Sequence, residues 1–301
     1  MPMFRALKLC PDAVVIAPDM AKYKRVSRQI RAILEAATPV IEPVSLDEAY
    51  LDLSADVRRS DRPPAVSLAG IALAVERDVG ITLSIGLSFN KFLAKLASDL
   101  DKPRGFAVIG RAEAMDFLAP LPVREILGVG AATARKLEAI GITTIGALRA
   151  FPEPDLVARF GKFGRWLARF ARGEDDREVI ADRPAKSISA ETTFESNLRH
   201  AGQLAEALHP LCDRVASRLA HAGLAGRTVV LKLKTADFQV LTRHHRLPDP
   251  TCRAEIIFRA AMPLITREAN GRKFRLIGIG VTDLCTASLA DPPDLFAALN
   301  R

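Results

Sequence analysis

The stretch SLDEAYLDL, residues 45–53, places two adjacent carboxylates, Asp47 and Glu48, inside a run that otherwise predicts a β-strand. Neighbouring side chains of a regular strand leave on opposite faces, so both carboxylates can serve one site only from a hairpin loop or a β-bulge. Such a pair suits Mg²⁺, which takes one or two carboxylates and fills its other positions with water and phosphate oxygens. A solvated acidic turn is the alternative that these two residues alone leave open.

The composition indicates a basic protein with more than one domain. A chain of 301 residues, 49% of them hydrophobic, is long enough for two or three domains with their own cores. Its formal net charge of +8 favours a polyanionic partner such as a nucleic acid. The excess lies in residues 183–301, where 17 Lys and Arg residues face 11 Asp and Glu residues, and this segment also holds all five histidines.

Secreted and membrane-spanning classes are disfavoured. The four cysteines form neither a CxxC pair nor a zinc-binding pattern, so we expect reduced thiols rather than a disulfide framework. The longest stretch without a charged residue, residues 63–75, is shorter than the roughly 20 apolar residues that a membrane-spanning helix needs. We therefore expect a cytoplasmic protein that does not contact a membrane.

A strand followed by a helix predicts a phosphate site. Residues 81–87 are apolar and β-rich, and Ser88 is placed to cap a helix that begins at Asn90. A helix N-terminus offers free N–H groups and a positive dipole end to phosphate, and Lys91 and Lys95 add charge nearby. An ordinary amphipathic helix is an equally good interpretation of the two lysines.

The sequence LGVG around Val129 separates two helical segments. Gly128 and Gly130 allow the backbone to bend tightly and expose its N–H groups, which can hold a DNA phosphate without reading base sequence. Residues 131–140 predict the second helix, and Lys136 on it adds a positive charge. The pattern is typical of a helix-hairpin-helix that binds DNA, and a plain helical turn is the alternative.

The last third of the chain predicts a separate basic domain. Residues 173–186 are charged and short of large apolar side chains, as in a linker. The periodicity after them predicts the order βαββαβ, a four-stranded sheet with both helices on one face. The other face is free to lie along DNA, or is merely solvated. The expected DNA contacts are Lys232 and Lys234, then Arg243 beside them and Arg246 on the opposite face of its strand.

These motifs, taken together, resemble those of the Y-family DNA polymerases of the bacterial DNA polymerase IV (DinB) type. Residues 45–53 resemble the family's second metal-binding motif, and residues 1–12 its passage from finger to palm. Residues 88–99 resemble the helix on the nucleotide side of the site, and residues 102–105 (KPRG) the loop after it. The motifs follow the family's order and spacing, and the resemblance extends to about Leu284.

The resemblance implies an α+β fold in three domains. The expected parts are an incomplete polymerase palm, an α/β sheet with a remnant of the finger (residues 1–120), a helical helix-hairpin-helix thumb (121–172), a linker (173–186), a βαββαβ little finger domain (187–285) and a tail (286–301).

The resemblance also implies template-directed DNA synthesis past damaged bases. Two Mg²⁺ ions would be held with Asp47 between them and Glu48 toward the primer hydroxyl, and Lys102 would neutralise charge on the triphosphate. Ser88, Asn90 and Lys91 complete the expected nucleotide site. The implied partners are primer-template DNA and deoxynucleoside triphosphates, and we expect a monomer. A nucleotidyl cyclase on a similar palm is disfavoured, because it needs neither a helix-hairpin-helix nor a basic C-terminal domain.

Several family features cannot be placed in this sequence. Family members begin with a palm strand that bears another metal-binding aspartate, followed by an aromatic steric gate and by Tyr and Arg contacts to the triphosphate. One hypothesis is a misplaced start whose upstream segment completes the enzyme. The other is a fragment that binds primer-template DNA without copying it. Near the C-terminus, Asp294-Leu295-Phe296 is either a peptide that binds the sliding clamp or a flexible tail.

Overall fold

A computed structural model describes residue 1, residues 3–55 and residues 62–291 of the chain. The chain divides into two compact units, residues 1–182 and the residues from 183 onward. In the described part of the chain, no helix combines the length and the apolar character needed to cross a membrane. The four cysteines are free thiols, and burial raises the pKa of Cys212 to about 12.

The first half of the first unit mixes helices with short strands. Asp19 caps helix α2 by accepting a hydrogen bond from the N–H of Lys22 at 2.9 Å. The elements are α1 (Met3–Leu9), α2 (Met20–Ala37), β1 (Ile41–Pro43), β2 (Ala49–Leu51), α3 (Pro64–Val79), β3 (Ile85–Ser88), α4 (Lys91–Leu100), β4 (Phe106–Ile109) and α5 (Ala114–Leu118).

The four strands of this region form two small sheets. Strands β1 and β2 pair antiparallel, with Glu42 opposite Tyr50, so they make a hairpin whose loop holds the acidic pair. Strands β3 and β4 pair in parallel, with Ser88 opposite Ile109. Apolar side chains of α2, α3 and β1 form one core over the hairpin, and partly buried residues of β2 and β3 pack against it.

The helical second half of this unit shares a core with α4. It comprises a 3₁₀ turn (Val123–Glu125), α6 (Ala131–Glu138), α7 (Ile145–Ala150), α8 (Glu153–Phe160) and α9 (Lys162–Ala171). Phe92 of α4 stacks on Phe170 of α9 with ring centroids 4.7 Å apart, inside one continuous apolar cluster. The predicted palm and thumb are therefore packed together as one unit.

The predicted linker is in part a packed segment. The sequence predicts a linker over residues 173–186, but Asp175 accepts a hydrogen bond from the N–H of Phe92 at 3.0 Å, and the N–H of Ile180 donates to Glu42 at 2.9 Å. Charged residues of this segment bond to one another and to the rest of the first unit. Their charge is therefore not evidence that the segment is a solvated linker. The division between the units lies at residues 182 and 183.

The second unit has the predicted βαββαβ order. Its elements are β5 (Ser187–Leu198), α10 (Ala201–His221), β6 (Leu224–Thr235), β7 (Val240–Thr251), α11 (Ala254–Glu268) and β8 (Phe274–Thr286), followed by a 3₁₀ turn (Ala287–Leu289). The strands form one antiparallel sheet in the order β5-β8-β6-β7. Val229, Leu231 and Leu233 of β6 join the core that α10 and α11 cover, which leaves the other sheet face uncovered by these helices.

Candidate metal, nucleotide and DNA sites

The acidic pair lies in the loop of the β1–β2 hairpin, as the sequence predicts. Asp47 and Glu48 are both exposed. The hydroxyl of Ser45 donates to the carboxylate of Asp47 at 2.5 Å and accepts from the N–H groups of Asp47 and Glu48 at 3.3 and 3.1 Å. Ser45 therefore fixes the loop from inside, as serine does in short side-chain-to-backbone turns. No pattern in the sequence marks Ser45 for this role in advance.

A chain of alternating charges connects this loop to the predicted nucleotide residue Lys102. Lys95 Nζ lies 2.9 Å from Glu48 Oε1 and 3.0 Å from Asp99 Oδ2, and Lys102 Nζ lies 2.6 Å from Asp99 Oδ1. Burial alone would lower the pKa of Lys95, but its bonds to Glu48 and Asp99 outweigh burial and raise it. Burial would raise the pKa of Asp99, but its bonds to Lys102 and Lys95 lower it. Both groups are therefore charged at neutral pH.

Lys91 does not belong to an open nucleotide site, so this prediction is wrong. Its side chain is 5% exposed, forms an ion pair with Glu42, and donates to the carbonyl oxygen of Glu178 at 3.1 Å. Its ammonium group also lies 4.9 Å from the centre of the Tyr50 ring. Because α4 turns this side chain inward toward β1 and β2, Lys91 ties the helix to the hairpin instead of facing a ligand.

The cap of α4 is Asn90 and not Ser88, which the sequence predicted. Ser88 ends strand β3, and its hydroxyl donates to the carbonyl oxygen of Ile109 at 2.7 Å, so it does not cap the helix. Asn90 is the cap: its side-chain oxygen accepts from the N–H of Leu93 at 3.0 Å. Its amide nitrogen donates to the carbonyl oxygen of Gly173 at 2.8 Å. Both polar side chains are thus engaged in holding the fold.

Asp175 and Arg177 form a partly buried ion pair that the sequence did not predict. The Asp175 carboxylate is fully buried and accepts from Arg177 Nε and Nη2 at 2.7 Å each. Burial would raise the pKa of Asp175, but the bonds from Arg177 and from the N–H of Phe92 lower it. The Arg177 guanidinium also lies 5.4 Å from the centre of the Phe170 ring. These contacts fasten the segment after α9 to α4.

The LGVG sequence forms the predicted turn before a helix. Gly128 has φ +92°, which a residue with a Cβ adopts only with strain, whereas Gly130 has φ −80° and caps α6. Val129 is buried and anchors the turn. The first N–H groups of α6 have no acceptor within the helix, and Lys136 is exposed on the same helix. The segment before the turn is a single 3₁₀ turn rather than a full helix.

The uncovered face of the second unit carries Lys232, Lys234 and Arg246. Cross-strand partners share a face, and the register pairs Lys232 with Thr242 and Thr228 with Arg246. Lys232 forms a 2.7 Å ion pair with Glu191 of β5, and Arg246 lies 3.4 Å from Asp283.

The face predicted for Arg243 is wrong. The register pairs Arg243 with buried Leu231, so Arg243 lies on the helix-covered face. There its Nε bonds to the buried carboxylate of Glu268 in α11 at 2.7 Å. Arg246, predicted on the opposite face from Lys232, lies on the same face. The candidate clamp peptide at residues 294–296 lies outside the described residues.

Family models match three parts of the chain. Residues 1–99 match the impB/mucB/samB family, residues 111–142 its helix-hairpin-helix motif, and residues 185–292 its C-terminal domain. DNA polymerase IV 1 of Mesorhizobium japonicum is 53% identical over 301 residues, which are 100% of this chain and 69% of that protein. DNA polymerase IV of Caulobacter vibrioides is 48% identical over 100% of this chain and 74% of its own length. The chain belongs to the Y-family DNA polymerase IV (DinB) family.

Solved structures of Y-family polymerases share the fold of this DNA polymerase IV family member. A Y-family DNA polymerase chimera of Dbh and Dpo4 matches 95% of this chain and 83% of its own with a TM-score of 0.87, at 23% sequence identity. An insertion ternary complex of Dbh DNA polymerase matches with a TM-score of 0.63 at 23% identity. The expectation of a polymerase-like α+β fold with a little finger domain is confirmed.

The donor set of the acidic loop fits a divalent cation of the kind that Y-family polymerases use. Asp47 and Glu48 offer hard carboxylate oxygens on an exposed loop, which suits Mg²⁺ with water and phosphate as further ligands. Among residues 3–55 and 62–291, no group of three or more His, Cys, Asp or Glu side chains converges as a metal site. Two carboxylates alone would supply only part of a coordination shell.

Proposed function

We propose that this chain catalyses template-directed DNA synthesis past damaged bases. The observation that carries the proposal is the chain of ion pairs from Glu48 through Lys95 and Asp99 to Lys102. It places a carboxylate loop suited to a metal and a cation suited to a triphosphate on one surface of the first unit. Phosphoryl transfer needs little beyond such positioning and charge stabilisation.

Asp47 and Glu48 would hold two Mg²⁺ ions together with substrate oxygens, Glu48 toward the primer hydroxyl. The bound ions would neutralise charge on the triphosphate and lower the pKa of the primer hydroxyl. Ser45 keeps the acidic loop in shape through its three hydrogen bonds. Lys95, which pairs with Glu48 at 2.9 Å, would turn toward phosphate or solvent when Glu48 holds a cation.

Two further surfaces would hold the DNA. The N–H groups at the start of α6 would bind a backbone phosphate, with Lys136 adding charge. Lys232, Lys234 and Arg246 would contact phosphates from the uncovered sheet face. Such contacts release counterions, so we expect primer-template affinity to fall steeply with salt.

Primer extension tests this proposal. The 301-residue chain, supplied with primer-template DNA, Mg²⁺ and deoxynucleoside triphosphates, should add nucleotides opposite both intact and damaged template bases. The same preparation should bind primer-template DNA in a salt-dependent manner. Binding of DNA without any incorporation would contradict the proposal.

A second candidate function is binding of primer-template DNA without copying it. It is favoured by the incomplete donor set, since the described residues bring only two carboxylates to the loop. The curated relatives are longer: the chain spans 69% and 66% of the first two. Incorporation that depends on Asp47 would exclude this candidate, and salt-dependent binding without incorporation would support it.

Lys102→Ala is expected to raise the KM for nucleotide about 10- to 150-fold, because the loss of one charged hydrogen bond to a phosphate costs about 1.5–3 kcal/mol. Affinity for primer-template DNA should not change, since Lys102 would contact the triphosphate and not the duplex. Steady-state incorporation over a range of nucleotide concentrations measures the effect. Lys8→Ala, which removes an exposed lysine of α1, is the matched control. An unchanged KM in Lys102→Ala would remove Lys102 from the nucleotide site.

A further inference from the structure

The turn between β6 and β7 presents an aromatic ring to solvent. Phe238 is 59% exposed and has φ +68°. Bulky residues seldom adopt a positive φ, and such strained conformations cluster at functional positions. An exposed ring in a strained turn calls for an explanation beyond packing.

The turn is held in this shape by its own hydrogen bonds. The N–H of Phe238 donates to the carbonyl oxygen of Thr235 at 3.0 Å, and the N–H of Gln239 donates to the Thr235 hydroxyl at 3.0 Å. The Thr235 hydroxyl also donates to the carboxylate of Asp237. This carboxylate is the only acidic side chain of the turn, so its charge is held by a hydrogen bond within the turn. The ring is therefore displayed by a fixed backbone.

Two cations flank the ring. Lys234 Nζ lies 4.9 Å and the Arg275 guanidinium carbon 4.6 Å from its centre. Lys234 comes from β6 and Arg275 from β8, so the two charges meet at the ring from different strands. An aromatic ring beside positive charges is the combination that proteins use to bind single-stranded nucleic acid, where bases stack and phosphates meet cations.

We infer that Phe238, Lys234 and Arg275 form a binding site for an unpaired base of single-stranded DNA. A base inside a duplex has both faces stacked, so only an unpaired one can lie on the ring. The base takes the place of one cation over the ring, and that cation then contacts the adjoining phosphate. Every base has a π face, so the site is indifferent to sequence. The inference rests on the proposed function for its DNA partner.

The chemistry of the site distinguishes DNA from an apolar protein partner. A protein that docks through Phe238 alone would use its apolar area, which a leucine also supplies. Stacking on a base requires a flat ring, and the phosphate requires the neighbouring charges. Substitutions at position 238 therefore separate the two partners.

Fluorescence anisotropy with the 301-residue chain tests the inference. Two DNA probes share one duplex, one of them blunt and the other with a single-stranded 5′ template overhang. Phe238→Ala should weaken binding of the overhang probe by about 5- to 150-fold, the range for loss of one stacked base, and leave the blunt probe unaffected. Phe238→Trp should retain the preference for the overhang, and Phe238→Leu should lose it.

The other outcomes would contradict the stacking site, the proposed function or both. Equal loss for both probes in Phe238→Ala, or full retention in Phe238→Leu, overturns the stacking site. Binding of the duplex by the wild-type chain with no gain from the overhang also overturns it and leaves the proposed function intact. Failure of the wild-type chain to bind either probe overturns the proposed function, and the inference with it.

Discussion

Asp47→Asn and Glu48→Gln should each lower the rate of nucleotide incorporation by at least about 10²–10³-fold, the usual cost of removing one group that stabilises transition-state charge. Both changes keep the size of the side chain and remove the negative charge that a cation needs. Single-turnover incorporation of one correct nucleotide on a primer-template measures the effect in either variant.

The fold and the affinity for DNA should survive these substitutions, because both side chains are exposed on a loop. Asp78→Asn is a matched control, since Asp78 is an exposed carboxylate at the end of α3 that pairs with Arg77 at 2.6 Å. It should incorporate nucleotides at the wild-type rate. Full extension by Asp47→Asn or Glu48→Gln would remove the acidic loop from catalysis.

Lys91→Met should lower the free energy of unfolding of the first unit by about 3–5 kcal/mol, the usual cost of removing one partner from a buried ion pair. Both side chains of the Lys91–Glu42 pair are about 5% exposed, so the buried carboxylate loses its cation and has little access to water, although it keeps the N–H of Ile180 as a donor. Urea unfolding followed by circular dichroism measures the loss.

Lys95→Met is the matched control, because Lys95 lies one turn later on α4 and pairs with Glu48 in a more exposed position. Its cost should stay below about 1 kcal/mol, as for other exposed pairs. The double substitution Lys91→Met with Glu42→Leu should recover much of the loss by removing both buried charges. Equal stability of Lys91→Met and the wild type would contradict the buried position of this pair.

Local patterns were enough to predict much of the fold. The acidic pair in an interrupted strand predicted the hairpin loop, and the LGVG sequence predicted the turn before α6. Each of these features depends on residues close together in the sequence. The order βαββαβ could be predicted for the same reason, since it needs only element types and their succession.

Faces and partners that depend on distant residues could not be predicted. Arg243 and Arg246 exchanged faces because the pairing of β7 is set across the turn at residues 235–239, and a shift of one residue reverses every side chain. Lys91 and Lys102 were both predicted to face the nucleotide. Lys91 instead pairs with Glu42, 49 positions away in the sequence, whereas Lys102 lies at the surface.

The prediction of a linker over residues 173–186 was in part wrong for a related reason. Its composition is that of a linker, but Asp175 and Arg177 neutralise each other against α4 and the ring of Phe170. Glu178 and Ile180 then reach Lys91 and Glu42. Only the tertiary structure shows that these charges are paired and in part buried.

The most direct test of the acidic loop is the binding of Mn²⁺, a paramagnetic substitute for Mg²⁺, followed by electron paramagnetic resonance. The wild-type chain, mixed with primer-template DNA and a non-hydrolysable nucleotide, should bind Mn²⁺, and Asp47→Asn should weaken that binding by at least about 10-fold. Equal Mn²⁺ affinity in the two proteins would show that the loop does not hold the ion and would contradict the account.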